Sequence, residues 1–480
     1  MEGYNAYIVT MTNWLPNLAE GSGPIYVRLA DHIESAIEDG VLAPGTKLPP
    51  QRNLAFDLGV TIGTISRAYS LIHERGLVSG EVGRGTYVND RKPAEAAQKA
   101  VESPFGGTRV SLAAPGQIAF NGTAAPDNGQ QEIIASHVTE IIREKPSEIM
   151  DYTRSFPSFW AEAGARWLSH QGWSPKPEHV VTTLGAHAGV MSIITAMTAP
   201  GDRIVFEPVT YSQISRAASL SGRRISIVDI DADGIIPDEF ERICAHQHPK
   251  IVFLMPAGQN PTCSTLPLER RKAIVEIAHR HNVWIVEDNL YGAMTGNPLP
   301  LIAELAPDRT FLVNGLSKSV SAGLRGGWVA CPPPFVTRIR VAHKMLTGGI
   351  PFLMAELSAR LVISGDAEGI RKGCIEEIEA RKAIVSETLK GVDFNSAPGI
   401  AFVWVKLPEP WLSGTFRNAA MNENVLIDDE DEFKPARTDR IFHRVRISFS
   451  LPKTHDELKR GLDVLRRLLD NGSAGYDSIE

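Results

Sequence analysis

The stretch from residue 311 to 331, FLVNGLSKSVSAGLRGGWVAC, decides how this 480-residue chain is read. An apolar run, FLVNG, stops at the polar pair Ser317-Lys318; Arg325 follows seven residues after the lysine, and GGWVACP resumes an apolar run. Upstream the same alternation recurs, with VVTTLG at 180, RIVFEP at 203, RISIVDI at 224, KIVFLMP at 250 and VWIVEDN at 283, each separated by a helical stretch. Short apolar runs alternating with helices predict an α/β domain with a mostly parallel sheet buried on both faces. Polar groups at the strand ends are then the candidates for chemistry. From about Phe352 the pattern changes to long helices, then IAFVWVKL and VRISFS, which predicts a smaller α+β domain.

A set of polar residues sits at those ends. Asn260-Pro261 follows KIVFLMP, Asp288 and Tyr291 follow VWIVE, Ser317-Lys318 follows FLVNG, and Arg446 lies in VRISFS. Singly, each has a plain explanation: a solvated lysine, an Asp that caps a helix, an Asn-Pro turn. Together they match the needs of pyridoxal phosphate. Lys318 is the amine that links to the cofactor and exchanges with an incoming amine. Asp288 is the carboxylate that keeps the pyridine nitrogen protonated. Tyr291 and Asn260 are placed to donate to the phenolic oxygen, while Ser317, Arg325 and the turn Gly185-Ala186-His187 before a helix suit the phosphate.

This pattern, from about Phe120 to the C-terminus, resembles the fold type I aminotransferases. The resemblance implies that Lys318 is the catalytic, cofactor-linked residue and that Arg446 binds the α-carboxylate of an amino-acid ligand. It also implies that Tyr211, in FEPVTYSQ, stacks on the ring and that Tyr152 reaches the phosphate of the neighbouring subunit's cofactor. Two positions depart from the family's pattern. The usual Asn-Pro-Thr-Gly reads Asn260-Pro261-Thr262-Cys263, removing a glycine from the loop, and Leu184 stands where Ser is common. His187 also has a packing reading, and His279 and His281, two apart on a helix, face different directions, so no metal site is assigned.

The N-terminal region has a different grammar. Leu29, Ala30, Ile33 and Ile37 recur at helical spacing within 26–39; Pro49 and Pro50 open a second helix carrying Leu54, Ala55 and Leu58 inward. A third, over 61–74, turns Ile62, Ile65, Tyr69 and Ile72 to the core, with a small, hydroxyl-rich opposite face. Such a helix suits the major groove, making Thr61, Thr64, Ser66 and Arg67, with Arg52, the DNA-contact candidates. EVGRGTYV then reads as a hairpin wing whose Arg84 and Gly85 lie against a phosphate backbone. PIYVRLADHIESAI, GTKLPPQRNLAFDLGV, TISRAYSLIHERGLV and GRGTYV together resemble the winged helix-turn-helix domain of GntR-type bacterial regulators, with Gln51 where that family usually has Ser.

Composition bounds the rest. At 43% hydrophobic and 22% charged the chain is globular, too long for one small module. Its net charge of −7 gives no whole-chain attraction to nucleic acid, so DNA affinity is expected to rest on local cations and dimerisation. Four cysteines without CxxC spacing, no basic leader and no long apolar run predict a cytoplasmic bacterial protein with no membrane contact; Met1 and Met11 both remain as starts.

The expected organisation is a DNA-binding domain over 22–90, a linker over 91–117 and an aminotransferase-like domain over 118–480. The large lobe covers about 130–345 and the small lobe about 346–470. That order resembles the MocR type of regulator. The resemblance implies a domain-swapped, head-to-tail homodimer on operator DNA that holds pyridoxal phosphate and senses an amino acid or related amine through external aldimine formation. Two alternatives stand beside it: an active aminotransferase carrying an accessory DNA-binding module, and a regulator for which pyridoxal phosphate itself is the signal.

Overall fold

A computed structural model describes residues 14–16, 24–81, 85–89, 113–436, 438 and 440–471. The chain divides into two compact units, residues 1–109 and 110–480. Arg84, the two candidate starts Met1 and Met11, and residues 91–112 of the expected linker lie outside the described residues.

The first unit holds α1 (Ile25–Glu38), α2 (Gln51–Asp57), α3 (Ile62–Glu74) and a hairpin of β1 (Val78–Glu81) and β2 (Gly85–Val88). Helix α2 starts after Pro50, whose fixed φ suits a helix entry, and the chain leaves it through Gly59 at φ +63. Helix α3 is capped by Thr61, whose Oγ1 accepts the Thr64 N–H at 3.2 Å, an interaction of about 1 kcal/mol. Leu29, Ile33, Leu54, Ile65, Ala68 and Ile72 form a core with no exposure. The Tyr69 hydroxyl donates to the Pro49 carbonyl at 2.7 Å, fastening α3 to the entry of α2. Ile62, expected in this core, is 49% exposed. Ile62 lies in the exposed first turn of α3, and Ala68 joins Ile65, Tyr69 and Ile72 on the inward face. The segment before α2 lies along the hairpin, with Leu48 N–H on Thr86 O at 2.8 Å and Val88 N–H on Thr46 O at 2.9 Å.

The second unit begins with β3 (Ile118–Ala119), α4 (Gln131–Glu144), α5 (Pro146–Met150) and α6 (Ser158–Trp167). Then follow β4 (Val180–Thr183), α7 (Gly185–Met197), β5 (Arg203–Phe206), α8 (Ser212–Leu220) and β6 (Arg224–Ile227). A small hairpin of β7 (Ile230–Asp231) and β8 (Gly234–Ile235) leads to α9 (Pro237–Gln247), β9 (Ile251–Leu254), α10 (Leu268–Arg280) and β10 (Trp284–Asp288). The large lobe closes with α11 (Ile302–Leu305), β11 (Thr310–Gly315), β12 (Gly327–Ala330) and α12 (Val336–Thr347).

All seven apolar runs are strands of one sheet, ordered β4-β12-β11-β10-β9-β5-β6. The strands β6, β5, β9, β10 and β11 are mutually parallel, while β12 runs antiparallel to both β11 and β4. Alternate side chains enter separate cores: Phe253, Val286 and Phe311 on one face, Val205, Val252 and Ile285 on the other. The topology brings the chemistry together. The carboxyl ends of β5, β9, β10 and β11 share one edge with the end of β4 and the start of β12.

The remaining chain forms α13 (Phe352–Ser364), α14 (Asp366–Thr388), β13 (Phe394–Asn395), β14 (Phe402–Lys406), α15 (Ser413–Asn422), β15 (Val425–Leu426), β16 (Asp428–Asp429), β17 (Arg444–Ser448) and α16 (His455–Asn471). Its sheet has the order β13-β14-β17-β16. β15 pairs in parallel with β3, which stitches residues 118–119 to this lobe. Among the described residues no helix is long and apolar enough to cross a membrane.

Candidate cofactor site and nucleic-acid surface

Lys318 follows β11, and its Nζ donates to Thr123 Oγ1 at 2.7 Å. The Tyr291 hydroxyl donates to the same oxygen at 2.9 Å, and the lysine ammonium lies 5.6 Å from the centre of the Tyr291 ring. Thr123, which the sequence reading passed over, thus joins two of the expected cofactor residues. Asp288 ends β10, where its Oδ1 accepts the Leu290 N–H at 3.1 Å. Burial pushes its carboxyl up to about 6, against the opposing pull of that N–H and of the Lys318 charge. Strand alternation sends the preceding Glu287 elsewhere: it accepts the Ile302 and Ala303 N–H groups at the start of α11, at 3.1 and 2.8 Å.

The end of β4 and the start of β12 form a cradle. Gly185 opens α7 at φ +77, and a Cβ there would lie 3.4 Å from the Arg325 carbonyl. A Cβ at Gly327 would lie 2.8 Å from the Gly185 carbonyl carbon. Gly185, Ala186 and His187 are the first three residues of α7, whose N–H groups have no intrahelical acceptor. The Leu184 N–H is taken by His343 Nε2 at 2.9 Å, a contact absent from the sequence reading. His187 meets the Tyr211 ring edge-on at 6.2 Å, and its pKa is lowered by burial and by the Arg325 charge. Ser317 is half-buried and Arg325 exposed. Tyr152 is 83% exposed, outside the cluster of contacts around Lys318.

Loss of the loop glycine has a visible consequence: Cys263 itself adopts φ +61, and its N–H closes a turn on the Gln259 carbonyl at 2.7 Å. The neighbouring Asn260 is buried and accepts from Arg446 Nη1 at 2.8 Å. Arg446 Nη2 donates to Asp428 Oδ2 at 2.6 Å and to the Asn121 carbonyl at 3.3 Å, and the guanidinium lies over Phe433 and Phe402 at 4.8 and 5.2 Å. Phe402 in turn packs edge-on against Tyr291 at 5.3 Å. The structure therefore connects Lys318, Thr123, Tyr291, Phe402, Arg446 and Asn260. Asp428 and Asn121 are further members that the sequence reading missed. An acidic pair inside the strand-like run VLIDD was the available signal for Asp428.

These residues fit pyridoxal phosphate. The set offers an amine, a buried carboxyl for a ring nitrogen, a phenol and an amide, and a glycine cradle in which Gly185 holds a left-handed φ at the start of α7 and a Cβ at Gly327 would intrude on it. Among the described residues no group of three or more His, Cys, Asp or Glu is arranged for a metal. His279 Nε2 and His281 Nε2 instead face Asp308 and Glu241.

In the first unit, Arg52 and Arg67 are exposed, as is Thr61, while Thr64 and Ser66 are half-buried. The Thr61 and Thr64 hydroxyls are 2.9 Å apart, so both belong to the helix cap as well as to the candidate surface. At the wing, a Cβ on Gly85 would lie 2.6 Å from Lys47 Cε, and Lys47 Nζ sits 5.7 Å from the Tyr87 ring centre. Lys47 is a cation the sequence reading did not consider.

Fold and site define an aminotransferase-like body joined to a winged helix-turn-helix module. Residues 122–465 match the family "Aminotransferase class I and II", a pyridoxal-phosphate-dependent fold, and residues 25–88 match "Bacterial regulatory proteins, gntR family". The chain belongs to the MocR-type transcriptional regulators, which combine these two parts in this order. It is 30% identical over 466 residues to the uncharacterized HTH-type transcriptional regulator YdeF of Bacillus subtilis, covering 96% of this chain and 97% of that one. It is 26% identical to the HTH-type pyridoxine biosynthesis transcriptional regulator PdxR of Corynebacterium glutamicum, over 76% and 79% of the two chains. The α-aminoadipate aminotransferase LysN of Thermus thermophilus shares the fold, with TM-score 0.66 at 23% identity over 74% of this chain and 92% of that one.

Proposed function

We propose that this protein regulates transcription by coupling a pyridoxal phosphate site, built around Lys318, to DNA binding, with an amino acid or related amine as effector. The observation that carries this reading is the convergence of Lys318 and Tyr291 on Thr123, with the buried Asp288 carboxyl beside them. When bound, the cofactor would supply an electrophilic aldehyde carbon, and Lys318 is the resident amine placed to hold it. Asp288 holds the ring-nitrogen proton, Tyr291 and Asn260 hold the phenolic oxygen, and Tyr211 covers the ring. Ser317, Arg325 and the Gly185-Ala186-His187 amides bind the phosphate, joined by Tyr152 from the neighbouring subunit. Arg446 is the cation assigned to the effector side of the site, where it is already paired with Asp428.

The DNA-binding domain is assigned to 22–90, the linker to 91–117 and the aminotransferase-like domain to 118–480, in a domain-swapped, head-to-tail homodimer acting in the bacterial cytoplasm. Arg52, Thr61, Thr64, Ser66 and Arg67 face the major groove, with Arg84 and Gly85 on the backbone. The effector switches the regulator only insofar as it binds two arrangements of the dimer unequally.

Titration of purified protein with pyridoxal phosphate tests this. A visible absorption band should form in the wild type and fail to form in Lys318→Ala, and a shifted band on adding an amine should accompany a change in operator affinity. A band unaffected by Lys318→Ala overturns the site. Multiple-turnover exchange between an amino acid and a 2-oxo acid would instead favour an active aminotransferase.

A further inference from the structure

Asp428 and Arg446 are direct partners in the antiparallel pairing of β16 with β17, so their side chains share one face of the small-lobe sheet. Both are sealed from solvent, with side-chain exposures of 6% and 1%. The guanidinium meets Asp428 at Nη2, Asn260 at Nη1 and the Asn121 carbonyl, and its faces are covered by Phe402 and Phe433. An arginine that receives a ligand carboxylate offers its fork to that carboxylate. Here the fork already carries one belonging to the protein.

We propose that Asp428 determines the effector class: by occupying Arg446 it makes the site select primary amines without a carboxylate on the amine-bearing carbon, in preference to α-amino acids. This rests on the reading of Lys318 as the amine-exchanging residue. The physical reason is charge balance in a dry region. Arg446 and Asp428 sum to zero, so the pair has no net attraction for an anion. An arriving α-carboxylate would place a second carboxylate on one guanidinium, leaving either the ligand or Asp428 without full compensation. The cations beside Asp428's neighbours are already used: Arg417 pairs with Asp429 at 2.6 Å, and Lys434 with Glu430 at 2.9 Å. An amine whose α-carbon carries only hydrogen or alkyl groups meets no such penalty, because it leaves the pair intact. Specificity of this kind is built by repulsion of the wrong ligand.

The test uses the full-length protein loaded with pyridoxal phosphate and matched pairs of ligands: ethylamine with alanine, phenethylamine with phenylalanine, putrescine with ornithine. The readout is the ligand concentration that half-shifts the visible band. In the wild type the member without the carboxylate should act at a concentration at least about tenfold lower. Asp428→Asn, which keeps the shape and frees a net positive charge, should reverse that order. α-Amino acids acting in the wild type at equal or lower concentration than their partners overturn the proposal, as does a ratio unchanged in Asp428→Asn. The wild-type ratio decides the matter by itself if the variant does not fold. A protein that forms no Lys318-dependent band overturns the cofactor reading and this proposal with it, whereas a band shifted equally by both members of each pair overturns this proposal alone.

Discussion

Lys318 Nζ donates to Thr123 Oγ1 at 2.7 Å across 195 residues of chain, and the Tyr291 hydroxyl converges on the same oxygen. Thr123→Val keeps the shape and removes the acceptor both donors share. The variant should lose about 1–3 kcal/mol in urea unfolding without cofactor and hold pyridoxal phosphate more weakly. Unchanged stability and unchanged cofactor affinity would show that this oxygen does not organise the site.

Asp288 should leave a signature in pH dependence. Its carboxyl is raised to about 6 by burial, from 3.8 when unfolded, so between those values the native state binds more protons than the unfolded state. Stability of the cofactor-free wild type relative to Asp288→Asn should therefore be greatest below about pH 4 and fall as pH rises to about 6, by on the order of 2–3 kcal/mol, then level off. Parallel stability curves for the two proteins would mean that burial does not disfavour the charged form.

Gly327→Ala tests the cradle. Its Cβ would meet backbone atoms of Gly185 and Ala186 at 2.8–3.0 Å, which no side-chain rotation relieves. Overpacking of this kind costs about 1–3 kcal/mol. Displacement of the start of α7 should also weaken binding of inorganic phosphate and of the cofactor in calorimetric titration. A variant with wild-type melting and binding would place the anion elsewhere.

In the DNA-binding unit, Ile62 and Ile65 make a controlled comparison. Ile65→Ala removes a side chain with no exposure and should cost about 2–5 kcal/mol, whereas Ile62→Ala, 49% exposed, should change stability by no more than about 0.5 kcal/mol. Arg67→Ala should weaken operator binding and lower the salt slope by about one. Equal costs for the two isoleucines would contradict the helix phase.

The cysteines should be silent in the native protein. All four are buried and free, and burial pushes Cys244 and Cys263 up to about 12 and Cys374 up to about 11, with Cys331 raised too. Thiol-reactive dye at neutral pH should label the protein only in denaturant. Rapid labelling of one thiol under native conditions would identify a site that opens.

Patterns that act locally were legible in the sequence. Each of the seven apolar runs is a strand of the large sheet, because short runs rich in β-branched residues and bounded by turn residues favour strands over helices, and Lys318, Asp288, Tyr291 and Asn260 were visible as polar residues at strand ends. The turn at Cys263 was flagged by its missing glycine and kept its left-handed conformation. Phase and partnership were not legible in this way. The spacing of Ile62 matches that of Ile65, yet only the edge of the three-helix core decides which of them is covered. GGWVACP reads like its parallel neighbours, and its reversed direction appears only from its pairing with β4 and β11.

The site divides along the same line. The sequence by itself determined two units and the residues at the strand ends, because these follow from local periodicity and residue chemistry, while Arg446 was marked out by resemblance to the aminotransferases. Only the tertiary structure decided that Thr123 joins Lys318 to Tyr291 and that Asp428 holds Arg446. Both relationships depend on strand register and chain crossing, which bring together residues 195 and 18 positions apart. A buried charge is defined by the partner that packing supplies, and residue identity alone does not name that partner.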